Sequence, residues 1–407
     1  MTQAFAGIRV IDFTQVLAGP FAAQQLAQLG ADVIKIEQPG QGDMTRGLLI
    51  GGSDANPQAS GEVGMAPSFL TCNLGKRAIT LNLKHPAATT IVHALVRSAD
   101  VVVENFTAGV MQRLGFDYAA LSAIKPDLVY CSISGFGQTG PLAGLAAFDG
   151  AIQAASGMMS ITGHPATGPV RTGYMPVDMG TALNAAFAIS AALFRRARTG
   201  EGQHVDVAMM DTAMVLQASQ VTTFMVKDEI PELFGNRSPT RQPTANVFAT
   251  ADGFIQVVAL NERQVSGFLA TLGISHLLDD ARFATREARI AHAGEMNPLI
   301  TQALASAPAG EWLQRCRAAA VPCAEIRDYR GVVADPQFEH RAIFATIPAP
   351  GRADNTVQVV AAGHVANVDG PQVQRPPPRL GQHTNEVLAE CGFSARQIEA
   401  WHADGVL

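Results

Sequence analysis

Apolar positions in the first 150 residues follow two alternating periods. Residues 8–13 form a short apolar run that reads as a buried strand. Gly19-Pro20 then opens an Ala/Leu/Gln-rich stretch that stops at Gly30. Proline near the start and glycine past the end predict a helix there. The pattern continues with strands at residues 31–36, 101–105 and 128–134, and helices at residues 86–98 and 118–123. Repeated strand–helix–strand units imply a parallel, doubly wound sheet with its active groups beyond the strands' carboxyl ends.

Between these units, residues 38–68 form a Gly-, Asp-, Pro- and Ser-bearing insert. It is too long for a plain connection and is expected to be functional or to form an interface. Residues 181–196 predict a strongly Ala-rich helix, residues 204–207 a strand and residues 211–224 an apolar helix. The composition then turns polar and Pro-bearing over residues 237–245. Two β-rich runs flanking Asp252-Gly253 predict a hairpin over residues 246–259, and helices follow to about residue 320. Residues 331–378 read as an extended Pro/Gly-rich strap, and two helices near residues 384–391 and 394–403 close the chain. The boundaries expected from this pattern are residues 1–198, a linker at 199–226, a small domain at 227–326, an extended linker at 327–380, and a terminal piece at 381–407.

Composition narrows the class. The chain has 407 residues, 47% hydrophobic and 16% charged, which supplies ample apolar area and excludes intrinsic disorder. Lys+Arg number 29 and Asp+Glu 35, a net charge of −6, which argues against nucleic acid as a partner. The low charged fraction predicts that much surface is buried against a partner subunit. The first residues show no secretory signal and no apolar segment reads as a continuous membrane span, so a cytoplasmic protein without membrane attachment is expected. Cys72, Cys131, Cys316, Cys323 and Cys391 are odd in number and widely spaced, as for reduced thiols.

Few motifs carry chemistry on their own. Gly135-Phe136-Gly137-Gln138-Thr139-Gly140 matches a dinucleotide-binding pattern, but Pro141 and Gly144 predict a loop where the pattern needs a helix. Asp178 precedes the Ala-rich helix. It is either that helix's N-cap or a carboxylate nucleophile beside Gly180, where the missing side chain leaves room for a reacting carbonyl, and spacing does not separate the two. Arg46, Lys76, Arg77, Lys84 and Arg113 are isolated cations. Together with Gly-bearing turns they suit one phosphorylated ligand. The ten histidines lack metal spacing, so no metal site is expected, and His383 reads as orienting backbone. There is no Gly-x-Ser-x-Gly elbow and no phosphate-binding P-loop.

The ordered set of motifs resembles the type III CoA-transferase family, which includes formyl-CoA and carnitine CoA-transferases. The matching segments are Ile11-Asp12-Phe13-Thr14-Gln15-Val16-Leu17-Ala18-Gly19-Pro20, Gly30-Ala31-Asp32-Val33-Ile34-Lys35-Ile36-Glu37, Asn73-Leu74-Gly75-Lys76-Arg77 and Val103-Glu104-Asn105-Phe106. Ser134-Gly135-Phe136-Gly137-Gln138-Thr139-Gly140-Pro141, Thr199-Gly200-Glu201-Gly202-Gln203 and Gly381-Gln382-His383-Thr384 complete it.

The resemblance implies an α/β fold: a Rossmann-like large domain with a parallel sheet, built from both chain ends, plus a smaller α+β domain. It further implies an interlocked homodimer. Asp178 matches the family's nucleophilic aspartate, which moves CoA from a donor acyl-CoA to an acceptor carboxylic acid through anhydride and thioester intermediates. Coenzyme A is then a substrate, and no permanently bound cofactor is expected. CoA contacts carry over onto Val16, Leu17 and Ala18, onto Gln38, onto residues 81–84 including Leu81 and Lys84, onto Asn105 and Thr107, and onto Arg113. Formyl-CoA transferases have Gln where Leu17 stands, a basic residue where Gln38 stands, and a glycine run near residues 260–263. The same fold hosts 2-methylacyl-CoA racemases, which need a His where Phe148 stands, so racemisation is disfavoured. Asp149 remains as a polar group supporting the nucleophile. A catalytically silent CoA-binding subunit is the remaining alternative. Succinyl-CoA with a small dicarboxylate is the expected substrate pair.

Overall fold

The computed structural model describes residues 3–47, 65–349 and 354–407. Most of the insert expected at residues 38–68 therefore lies outside the described residues. Contacts divide the chain into two units, one of residues 1–158, 172–229 and 337–407, the other of residues 159–171 and 230–336.

The first unit begins β1 (Arg9–Asp12), α1 (Ala18–Gln28), β2 (Asp32–Glu37), α2 (Pro67–Cys72), β3 (Arg77–Thr80) and α3 (Ala87–Arg97). It continues β4 (Val101–Glu104), α4 (Val110–Leu114), α5 (Tyr118–Ile124), β5 (Val129–Ser134) and α6 (Asp149–Ala155). The two-residue strands β6 (Gly163–His164) and β7 (Gly168–Pro169) belong to the second unit. The chain then returns with α7 (Pro176–Thr199), β8 (Gln203–Ala208), α8 (Met209–Leu216) and α9 (Ala218–Lys227).

Six strands pair in the order β3-β2-β1-β4-β5-β8, and every pairing is parallel. The order reverses between β1 and β4, the place where ligands bind in open α/β sheets. The inner strands β1, β4 and β5 are buried on both faces, which is why they read as apolar runs in the sequence. On one face α1 and α7 pack through small side chains such as Ala22, Ala23, Ala182 and Ala185. The other face carries α3, α5 and the chain's last two helices, including Val387, Leu388, Ile398, Val406 and Leu407.

The second unit contains β9 (Ala245–Ala249), β10 (Phe254–Val258), α10 (Glu262–Thr271), α11 (Arg286–Ala291), α12 (Ala293–Leu304), α13 (Ala309–Ala318) and β11 (Cys323–Glu325). β9 and β10 form the expected hairpin, which β11 extends on the β10 side. Four helices cover it around Trp312, Phe268, Met296 and Cys316. The short helices α14 (Tyr329–Val333) and α15 (Pro336–His340) follow. Back in the first unit are the hairpin β12 (Phe344–Pro348) with β13 (Thr356–Val360), then α16 (Thr384–Glu390) and α17 (Ala395–Ala403).

Four expectations change. Residues 199–226 are not a linker: β8 is the edge strand of the main sheet, and α8 and α9 follow it, breaking at Gln217. The strap contains two helical turns and a hairpin, because alternating residues such as Ile347 and Val359 still find an apolar cluster with Leu74. The Ala-rich helix starts five residues earlier than its apolar pattern, at Pro176, since proline suits a helix's first position. That helix is also long and apolar enough, by length and composition, to cross a membrane, although no such segment was expected. One side of it is in the core against α1 and the sheet, while Leu183, Phe187 and Phe194 are exposed.

Candidate active site

A cavity of about 260 Å³ opens at the carboxyl ends of β1, β4, β5 and β8. Its walls are residues 15–18 after β1, residues 105–107 after β4, residues 133–135 ending β5, residues 145–148, Asp178, and Met209. Most of this lining is apolar. Asp178 supplies its carboxylate from the first turn of α7.

The local folding explains why these segments meet. The loop after β5 doubles back so closely that a Cβ on Gly135 would lie 2.5 Å from the Ala147 Cβ. That return brings Phe148 and Asp149 to the start of α7. The dinucleotide-like glycines thus shape a loop with no helix following them directly. Asn105 clamps the segment after β1: its Oδ1 accepts from the Gln15 N–H at 2.8 Å, and its Nδ2 donates to the Gln15 carbonyl at 2.7 Å.

Asp178 does not cap its helix. The N-cap is Met175, which has no capping side chain. The cap comes from another helix: Asp149 Oδ2 accepts from the Val177 N–H at 2.9 Å and from the Asp178 N–H at 3.0 Å. Gln153, one turn along α6, donates to Asp149 Oδ1. Its own Oε1 accepts from Thr172 N–H and Oγ1 at 3.1 and 3.2 Å. Asp149 is 4% exposed. Burial first, and the nearby Asp149 charge second, push the Asp178 carboxyl up to about 7. Gly180 has a different use from the one expected. A Cβ there would lie 3.0 Å from Leu216, so the missing side chain lets α8 approach α7.

Val16, Leu17, Ala18, Asn105 and Thr107 line the Asp178 cavity, whereas Gln38, Leu81, Lys84 and Arg113 do not. Leu81 is buried in the apolar layer beneath α3. Gln38, Lys84 and Arg113 are exposed, Gln38 and Lys84 beyond the carboxyl ends of β2 and β3. The expected five-cation cluster is corrected. Lys76 is wholly buried against Asp12 at 2.7 Å, Arg46 is paired with Glu37, and Arg77 joins Asp32 to Glu386 and Glu390. Cations in low-dielectric surroundings need such partners, and these three are committed to them. His383 orients backbone: its Nδ1 accepts from the Ala78 N–H while its own N–H donates to the Ala78 carbonyl. Burial pushes the Cys72 thiol up to about 12.

A second, larger cavity of about 540 Å³ is lined by Glu104, Tyr118, Tyr130, Ser132, Gln138 and His204, and shares Thr107 with the first. Ser132 Oγ lies 2.9 Å from His204 Nε2. Burial, with a smaller contribution from Asp206, pushes Glu104 up to about 7. Sequence reasoning named Asp149 as a polar group beside the nucleophile, but neither its relay through Gln153 nor the group lining the second cavity. The i, i+4 spacing of Asp149 and Gln153 was the available signal.

A doubly wound parallel sheet with an apolar cavity and a buried carboxylate at its switch point defines an α/β protein with an enzyme-like site. The family model for CoA-transferase family III matches residues 5–384, and the chain belongs to that family. Succinate–glutarate CoA-transferase of Agrobacterium fabrum is 39% identical over 386 residues, covering 95% of each chain. Formyl-CoA:oxalate CoA-transferase of Streptomyces avermitilis is 34% identical over 427 residues, covering 100% of each. The crystal structure of a CAIB/BAIF family protein from Brucella suis superposes with a TM-score of 0.85 at 34% identity, covering 96% of this chain and 100% of that one. The protein is a CoA-transferase, with acyl-CoA and an acid as substrates.

Proposed function

We propose that Asp178 is the nucleophile that carries CoA between two carboxylic acids. Its carboxylate oxygen attacks the donor thioester carbonyl, the C–S bond breaks, and an aspartyl–acyl anhydride and CoA thiolate result. The thiolate attacks the Asp178 carbonyl carbon, releasing the donor acid and leaving an aspartyl–CoA thioester. The acceptor carboxylate displaces the thiolate to form a second anhydride. The thiolate then takes the acceptor acyl group and frees Asp178. No net proton is consumed, and the thioester's free energy is kept in covalent form.

The observation that carries this reading is the setting of Asp178, in an apolar cavity that limits hydrolysis of an anhydride. Asp149 positions it by capping α7. Residues 16–18, Asn105 and Thr107 receive the thioester end of CoA. Gln38 and Lys84, beyond the carboxyl ends of β2 and β3, and Arg113 on α4 belong to the part of the site that receives its distant nucleotide end, while the Leu81 side chain is taken up by the core. The strand order, reversing at β1/β4, supports a Rossmann-like reading of the first unit. Succinyl-CoA and a second small dicarboxylate are the proposed pair, since a similar protein is named for succinate and glutarate. A racemase would need an acid or base where Phe148 stands, and Asp149 is spent on the α7 backbone.

A second copy completes the assembly in this reading. Phe187, Phe194, Val215, Met225 and Val226 expose large apolar side chains on α7, α8 and α9. A homodimer that covers them, interlocked as in the family, accounts for the low charged fraction. A cytoplasmic location is part of the same proposal.

The test incubates the protein with succinyl-CoA and a panel of acids and follows new thioesters by mass spectrometry. Asp178→Ala is expected to lose transfer by about 10⁴-fold. Full transfer by that variant would remove Asp178 from the mechanism.

A further inference from the structure

Val16 has φ 70°, the left-handed region, and is the β-branched residue among the seven described non-glycine residues with positive φ. A branched side chain disfavours that conformation strongly, and it persists only where surrounding structure imposes it. Here the imposing groups are visible. The Val16 N–H donates to Asp43 Oδ1 at 3.2 Å. Asp43 Oδ2 pairs with Lys35 Nζ at 2.8 Å, and both side chains are 0% exposed. Lys35 Nζ also donates to the Thr14 carbonyl at 2.7 Å, two residues before Val16. Asp43 is itself held, accepting from Thr45 N–H and Oγ1 at 2.9 and 2.7 Å and donating its N–H to Glu37 Oε2 at 2.9 Å.

We propose that the buried Lys35–Asp43 ion pair is a positioning device for the Asp178 cavity: it holds Val16 left-handed and thereby sets the backbone surface on which CoA binds. The inference rests on the reading of residues 16–18 as part of the CoA site. Two independent features support it. The strained residue lines the Asp178 cavity. The ion pair bonds backbone on both sides of the turn, at Thr14 and at Val16. A charge-assisted hydrogen bond is comparable in strength to the strain of one left-handed branched residue, so one such bond suffices to hold it. Asp43 and Lys35 act through Val16 and are positioning residues.

The test is a double-mutant cycle in the full-length protein, with CoA itself titrated by calorimetry. Asp43→Asn keeps one acceptor but turns an amide donor toward the Lys35 ammonium. It is expected to weaken CoA binding by about tenfold in the parent background. Glycine adopts the left-handed region without strain, so in the Val16→Gly background the same Asp43→Asn change is expected to weaken binding less than about twofold. An undiminished loss in the glycine background, or no loss in the parent background, overturns the proposal. If Asp43→Asn fails to fold because the buried Lys35 loses its counter-ion, Lys35→Met/Asp43→Asn takes its place in both backgrounds, with the same two expected losses and the same overturning results. Failure of the underlying CoA-site reading shows separately, as a parent protein that binds no CoA, and the inference falls with it.

Discussion

Asp178 and Asp149 are two carboxylates in one apolar setting with divided tasks. Asp149 spends both oxygens on hydrogen bonds, two of them to the α7 backbone, and its charge helps hold the Asp178 carboxyl near 7. Nucleophilic attack needs the ionised form, so kcat/KM is expected to rise with pH through about 7. Asp149→Asn keeps an acceptor but removes the charge and should move that rising limb to lower pH. A limb that stays in place would show that burial alone sets it. The same shift has a stability consequence. Between the ordinary aspartate value and about 7 the folded state binds more protons than the unfolded state, so stability falls as pH rises across that window. Asp178→Asn is therefore expected to raise Tm relative to the parent by a few degrees at pH 8 and by less at pH 5. An equal difference at both pH values would contradict the shift. Asp178 itself was legible as a candidate, because an aspartate before an Ala-rich helix has two readings. That it is not the helix cap depends on Asp149 reaching across 29 residues, and no local pattern carries that.

Among the elements, α7 has the most to do: it covers one sheet face and carries Asp178 at its first turn. The turn that follows it depends on Gly202, where a Cβ would lie 2.1 Å from the Leu128 carbonyl oxygen. Backbone cannot move aside as a side chain can. Gly202→Ala is expected to cost about 1–3 kcal/mol, read as a lower urea midpoint. An unchanged midpoint would mean the β5–β8 entry is looser than described. Strands β1, β2, β4 and β5 were legible because each is a compact apolar run. β3 was not, since its four residues include Arg77 and Thr80, and its burial depends on Asp32, Glu386 and Glu390 pairing the guanidinium. β12 and β13 hid inside a Pro/Gly-rich composition that reads as extended chain.

At the scale of the molecule, the first unit takes residues from both ends of the chain, and α16 and α17 pack beneath β3 and α3. The exposed apolar face of α7, α8 and α9 predicts a dimer in solution, which light scattering after size exclusion measures. Phe187→Asp is expected to shift that population toward monomer, and an unchanged dimer would move the interface elsewhere. Strand–helix alternation, motif order and charge balance, all local or additive properties, were enough to determine the α/β class, the family and a short list of candidate residues. Only the tertiary structure decided which cations are committed to ion pairs, what caps α7, and that Val16 is left-handed. Those outcomes depend on buried charges meeting partners distant in sequence, and burial is a property of the folded whole.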